Sequence, residues 1–143
     1  MKFIFGLIIL LMATNVFADD LKSLKQTRDL SDKIVNQFVH ADFKQGLALA
    51  KPHWPLPEIE IDGLANQIAN QWPLVDRRFV KPTGKEFVRE ERIGESFVRY
   101  SYLHKFDNHS IYWRITFYKP SDIWIVNGIQ FLDNLEPLFE RVK

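Results

Sequence analysis

The amino-acid sequence predicts an α+β fold in which N-terminal helices pack on a four-stranded antiparallel sheet. Apolar residues recur at helical spacing through residues 20–79, which is typical of helices with one buried face. From residue 85 onward, aromatic and β-branched residues become frequent, which favours strands. Turn signals at residues 94–95, 107–108 and 119–122 divide this second half into four strands. A chain in which helices are followed by antiparallel strands has the order that is typical of α+β folds.

Residues 1–18 have the pattern of a signal peptide. Lys2 supplies a positive start, residues 3–12 are apolar apart from Gly6, and cleavage is predicted after Ala18. The apolar run is too short to span a bilayer as a mature helix, so we expect no stable membrane anchor after cleavage. The chain has no cysteine, which excludes a lipid-modified cysteine anchor. These features predict a bacterial exported protein, either periplasmic or secreted.

Residues 19–143 are predicted to form a single domain with balanced charge. Removing Lys2 from the 19 basic residues leaves 18, which equal the 18 acidic residues. A nucleic-acid-binding domain is usually basic, so no nucleic-acid partner is expected. Without cysteine, the fold depends on its core in place of disulfides, and thiol nucleophiles, thiolate metal sites and iron–sulfur clusters are excluded.

Three helices are predicted in the first half of the domain. The first covers residues 20–40, where apolar residues recur on one face. Asp42, followed by Gln45 three residues later, has capping-box spacing and predicts a short helix over residues 43–50. The third covers residues 58–79, and Pro73 within it predicts a kink or a break because proline removes a backbone donor.

Residues 95–106 and 109–118 are predicted to form a hairpin whose register is set by the sequence. A two-residue loop at residues 107–108 places Tyr102 opposite Trp113 and Val98 opposite Phe117, on one apolar face. A slip of one residue would mix apolar and polar positions. The opposite face is expected to be exposed to solvent. The residues on it are Arg99, Ser101, Lys105, Ser110, Tyr112, Arg114 and Thr116.

The first and last strands are less well determined by their pattern. A strand over residues 85–93 places Glu90 beside Arg99 if the turn at residues 94–95 is plain, or beside Tyr100 if it is bulged. The last strand, residues 123–131, is apolar on both faces at its centre, so a partner subunit is a candidate to cover it. A short helical tail over residues 134–139 is expected to dock through the following residues: Leu135, Leu138 and Phe139.

The order of a long helix, a short helix, a third helix and a four-stranded meander resembles the NTF2-like, cystatin-like superfamily, and in particular its small secreted bacterial members with no assigned activity. The segments that carry the resemblance are Phe117-Tyr118-Lys119-Pro120-Ser121-Asp122-Ile123-Trp124 and Phe131-Leu132-Asp133-Asn134. The resemblance implies a curved sheet wrapped around the long helix, often a pocket, and often a homodimer through the outer sheet face. That superfamily contains enzymes, transport factors and binding domains, so the fold leaves the function open.

Two functions remain open at this stage. The first is an exported, non-catalytic module that binds a small apolar ligand or a protein partner in an aromatic-lined pocket. The candidate pocket residues are Trp72, Tyr100, Tyr102, His104, Trp113 and Phe117. His104 lies near the hairpin end and is expected to be half-exposed.

The alternative is a small isomerase or dehydratase. It would use Glu90 or Glu91 as the base and Tyr100 or Tyr102 as a hydrogen-bond donor, inside a closed apolar pocket. This alternative fails if both glutamates face solvent and pair with arginines.

Motifs for other chemistry are missing from the sequence. The four histidines lack metal-ligand spacing, no serine lies in a G-x-S-x-G turn, and the glycines form no phosphate-binding loop. We therefore expect neither a metal nor a cofactor.

Overall fold

A computed structural model describes residues 18–140, so the signal segment predicted over residues 1–18 lies outside the described residues except for Ala18. Three helices precede four strands, which confirms the α+β prediction. The elements are α1 (Leu24–Val39), α2 (Phe43–Ala50), α3 (Glu58–Phe79), β1 (Pro82–Ile93), β2 (Phe97–Phe106), β3 (Ser110–Tyr118) and β4 (Ile125–Leu132), with short 3₁₀ turns at Lys51–His53 and Glu136–Leu138. The strands form one antiparallel sheet in the order β1-β2-β3-β4. Between residues 18 and 140, none of the helices is long and apolar enough to cross a membrane.

The first helix starts later than the sequence predicts, because a capping box fixes its N-terminus at Ser23. The Ser23 hydroxyl accepts a hydrogen bond from the Gln26 amide at 3.2 Å, and the Gln26 side chain accepts one from the Ser23 amide at 3.1 Å. Leu21 is drawn out of the helix by a β-bridge to Trp124, whose amide donates to the Leu21 carbonyl at 2.8 Å. Helix α2 has the predicted bounds, and the Asp42 side chain caps it.

Helix α3 continues through Pro73, so the helix is not broken there. Proline cannot donate to the carbonyl four residues earlier, which belongs to Ala69. Both residues are exposed, so this carbonyl lies on the solvent side of the helix. Buried Trp72 and half-buried Val75 lie on the opposite side and hold the helix against the rest of the fold.

The predicted hairpin register is confirmed. Tyr102 lies opposite Trp113 and Val98 lies opposite Phe117. The Phe106 amide donates to the His109 carbonyl at 2.9 Å, which closes the loop. The alternation of apolar and polar residues was therefore sufficient to set the pairing of β2 with β3.

The edge strands contain β-bulges that the sequence pattern left open. Strand β1 starts at Pro82, three residues earlier than predicted, and a three-residue turn at residues 94–96 sets Glu90 beside Tyr100. Val88 is the extra residue of a bulge on the far side of Glu90 from this turn. In β4, Asn127 is the extra residue of a second bulge. Bulges bend strands and increase their twist, which is consistent with a curved sheet.

The outer sheet face is less exposed to solvent than the sequence predicts. Ser101 is fully buried and Tyr112 is 1% exposed. Ser101 lies between Arg89 of β1 and Arg114 of β3, whose long side chains cover it. The Arg114 guanidinium also donates to the Tyr112 hydroxyl at 3.2 Å.

The segment after β4 covers one end of this outer face. The Arg89 guanidinium donates to the Pro137 carbonyl, and Leu138 is half-buried beside Leu103. Leu135 is half-buried as well, whereas Phe139 is 68% exposed, so its predicted docking is wrong. A homodimer through the outer face remains a prediction, which would have to use the end that this segment leaves uncovered.

The core is centred on the fully buried indole of Trp113. Its ring centroid lies 4.3 Å from that of Phe38 in α1 and 6.1 Å from that of Phe43 in α2. It lies 6.2 Å from that of Trp72 in α3 and 5.3 Å from that of Phe131 in β4. One side chain of β3 therefore joins all three helices to the sheet.

Replacing Trp113 by alanine should destabilise the fold by about 3–5 kcal/mol, because it removes a large buried ring and leaves a cavity. Urea denaturation measures this loss. The Phe139→Ala variant is the matched control, since that ring is 68% exposed and its removal should change stability by about 0.5 kcal/mol or less. A loss below about 1 kcal/mol for the Trp113 variant would contradict the described packing.

Candidate functional site

The six residues predicted to line a pocket are all buried in the core. Each of them is at most 6% exposed: Trp72, Tyr100, Tyr102, His104, Trp113 and Phe117. Trp72 stacks on His104 at 5.4 Å and on Trp113 at 6.2 Å, which makes one aromatic cluster. In the described structure these side chains fill the space that they were expected to line. The open space lies beside the cluster.

His104 is fully buried, so the expectation that it is half-exposed is wrong. The Trp113 indole N–H donates to His104 Nδ1 at 3.2 Å, and the Phe106 ring stacks on the imidazole at 4.4 Å. Burial lowers the pKa of His104 to about 4. The imidazole is therefore neutral at pH 7 and carries its proton on Nε2, which has no hydrogen-bond partner among the described residues.

The two buried tyrosines tie β2 to α1 through their hydroxyl groups. The Tyr102 hydroxyl donates to Asp32 Oδ1 at 2.5 Å, and burial raises the pKa of Tyr102. Tyr100 shares a hydrogen bond of 2.8 Å with the Thr27 hydroxyl. Both tyrosines thus have structural partners for their polar ends, which is usual for buried tyrosine.

Asp32 is the carboxylate that meets a tyrosine, and the sequence analysis did not single it out. Arg28 Nε donates to the same Asp32 oxygen at 3.0 Å, and the Arg28 guanidinium lies 3.4 Å from the Phe87 ring centroid. The Asp32 side chain is 41% exposed. Its spacing of four residues from Arg28 is the one signal that indicates an ion pair on a helix. These contacts link α1 to β1 and β2. The Asp32 carboxylate is paired with the Arg28 guanidinium, so it is not a free base for a substrate.

Glu90 and Glu91 lack the placement that the enzymatic alternative requires. Glu90 is exposed and pairs with Arg92 at 2.7 Å. Glu91 accepts two hydrogen bonds of 3.0 Å from Arg99, which lower the pKa of its carboxyl group. A carboxylate held in its ionised form by a guanidinium is a weak base.

A groove of about 710 Å³ lies beside the cluster, between α3 and the end of β4. Its apolar lining residues are Leu64, Ile68, Leu74, Val75, Phe79, Ile111, Phe131 and Leu132. The polar residues that line it are Gln67, Asn70, Gln71, Arg78 and Asp133. We call this space the α3–β4 groove.

One stripe of α3 forms a wall of the α3–β4 groove. Leu64, Ile68 and Val75 follow one another at spacings of four and seven residues, which place side chains on the same helix face. Leu74 is 63% exposed, although it is a large apolar residue. Leu74 therefore adds exposed apolar surface to the groove wall.

The groove stays open because two parts of the chain leave it uncovered. Strand β4 is the last strand of the sheet, so one of its edges pairs with β3 and the other edge has no neighbouring strand among the described residues. After Asp133 the chain turns to the outer face, where Pro137 accepts a hydrogen bond from Arg89. The described tail thus lies on the side of the sheet opposite α3.

No family model, curated protein or solved structure matches this chain. The resemblance to the NTF2-like superfamily therefore remains a prediction. Among residues 18–140, no group of three histidine or acidic side chains is arranged to hold a metal ion.

Burial of His104 predicts that the protein loses stability in mild acid. The folded pKa of about 4 lies below the ordinary value of 6.5, so between these values the unfolded chain binds the extra proton. The contribution is fully present above pH 6.5 and is lost as the pH falls towards 4. The free energy of unfolding should decrease by roughly 2 kcal/mol from this group between pH 7.5 and 4.5.

Urea denaturation at the two pH values, with the His104→Gln variant as control, measures this contribution. Glutamine keeps an acceptor for the Trp113 N–H but does not titrate. The variant should therefore depend less on pH than the original protein does. Equal pH dependence of the two proteins would contradict a neutral, buried His104.

Proposed function

We propose that this chain is an exported, non-catalytic binding module whose ligand site is the α3–β4 groove. The observation that carries the proposal is the groove itself, which measures about 710 Å³ and has a largely apolar lining. Ligand sites in proteins are concave, mostly apolar and about 300–1,000 Å³ in volume. This groove fits that description and lies beside a core that is already filled.

The lining suits a ligand with an apolar body and polar groups along one side. Ile68, Ile111 and Phe131 contribute apolar surface, whereas Gln71 and Asn70 contribute uncharged amide groups. Arg78 and Asp133 add one charge of each sign. We infer that the ligand is apolar and close to neutral, and that it is either a small molecule or a segment of a protein.

Export and family membership belong to the same proposal. The pattern of residues 1–18 supports export to the periplasm or the medium. The order of helices and strands supports an NTF2-like domain, a group in which binding domains are common. We favour binding over catalysis because Glu90 and Glu91 are held by arginines.

Adding a charge to the wall of the groove should weaken binding of an apolar, uncharged probe. The probe is decan-1-ol, added to the Leu74→Lys variant and to the original protein. Leu74 is 63% exposed, so the substitution should leave the fold intact while it places an ammonium group beside the apolar lining. Isothermal titration calorimetry should give a dissociation constant at least about tenfold weaker for the variant than for the original protein.

The matched control is Ile59→Lys, which places the same charge on the same helix outside the groove. Ile59 is 80% exposed, and the control should bind decan-1-ol as the original protein does. Decan-1-ol that binds both variants equally well would show that it occupies another surface. Native mass spectrometry of protein purified from its exporting host would then identify any molecule that the chain retains.

A further inference from the structure

We propose that the natural occupant of the α3–β4 groove is an extended, apolar polypeptide segment that adds to the free edge of β4 as a fifth strand. This inference rests on the proposed function, since it uses the same groove, and it names the class of partner. Its basis is the contrast between the two edges of the sheet and the chemistry of the two groove walls.

The two edge strands differ sharply in charge. Six of the 12 residues of β1 are charged, and these include Arg89, Glu90, Glu91 and Arg92. None of the 8 residues of β4 is charged. Proteins protect exposed sheet edges from unwanted pairing by placing charged residues on them. Strand β1 has this protection, whereas β4 lacks it and retains a sequence that suits pairing on both sides.

The outer edge of β4 is free over its length in the described part of the chain. Its neighbour in the sheet is β3, and among residues 18–140 the one further backbone partner is Leu21, which meets Trp124 just before the strand begins. From Ile125 to Leu132 the edge therefore offers main-chain donors and acceptors to an incoming strand. Addition of a strand to such an edge is a common mode of peptide recognition.

The opposite wall of the groove complements the second edge of such a strand. Gln67, Asn70 and Gln71 are exposed on α3 and line the groove. Each of their amide groups both donates and accepts hydrogen bonds, as a peptide backbone does. A hydrocarbon chain would use neither these amides nor the β4 edge. The two walls together favour a polypeptide over a small apolar molecule.

The dimensions of the groove set the length and the pattern of the segment. The α3 wall extends from Leu64 to Arg78, which corresponds to about 21 Å of helix. An extended strand covers that length with about six residues. Successive side chains of a strand point to opposite faces, so every second residue would face the apolar side and should be apolar.

Two pools of synthetic decapeptides test this inference. Both pools alternate varied apolar residues with threonine, and the second pool carries N-methyl groups on alternate amides, which removes main-chain donors and leaves the side chains unchanged. The full chain is expressed in an exporting host, and binding of each fluorescently labelled pool is followed by polarisation. The unmethylated pool should bind at least about tenfold more tightly than the methylated pool, since strand addition needs those donors.

The groove variants locate the bound peptide. Leu74→Lys should weaken binding of the unmethylated pool by about tenfold or more, while Ile59→Lys should leave it unchanged. On binding, the edge-facing amides of β4 should exchange more slowly with solvent in NMR spectra. Equal binding of the two pools, or binding that leaves the β4 amides unchanged, would overturn strand addition.

The failure of this inference can be told apart from the failure of the proposed function. If decan-1-ol binds in the groove and the peptides do not, the site is a small-molecule site and the polypeptide partner is wrong. If neither decan-1-ol nor the peptides respond to the Leu74→Lys substitution, the groove is not the binding site and both proposals fall.

Discussion

The rest of the structure depends on the closed packing around Trp113. Its indole contacts Phe38 of α1 and Trp72 of α3, and its N–H is hydrogen-bonded to buried His104. An unpaired indole donor in this apolar cluster would be costly, so the neutral imidazole acceptor is part of the packing. Because aromatic side chains fill this interior, the open volume lies outside it, between α3 and the end of β4. The location of the candidate site is thus a consequence of the core.

The candidate site also depends on the difference in charge between the two edge strands of the sheet. The charged side chains of β1 protect one edge, and the tail after β4 is held on the outer face by the contact of Arg89 with Pro137. Both features leave the uncharged edge of β4 open next to exposed Leu74. The groove contains an apolar wall and a set of amides, and it adjoins the strand edge where β4 ends, at Phe131 and Leu132. This combination of features favours the groove as a binding site.

Local patterns were sufficient to predict much of the fold. The period-2 alternation of β2 and β3 set the pairing of Tyr102 with Trp113, and the Asp42 cap set the start of α2. Contacts between distant parts of the chain were not readable in this way. The bridge from Leu21 to Trp124 shortened α1, and arginines on neighbouring strands buried Ser101. The groove was missed for the same reason, since the exposure of Leu74 depends on where the distant β4 edge lies.

Hydrogen exchange of the Trp113 indole N–H, measured by NMR, tests the central claim most directly. The signal can be assigned by its absence from the Trp113→Phe variant. A closed core predicts that this proton exchanges as slowly as the slowest backbone amides, through global unfolding alone. Exchange within minutes under conditions where the protein is stably folded would contradict the account. It would mean that the aromatic cluster opens to solvent and is itself a pocket.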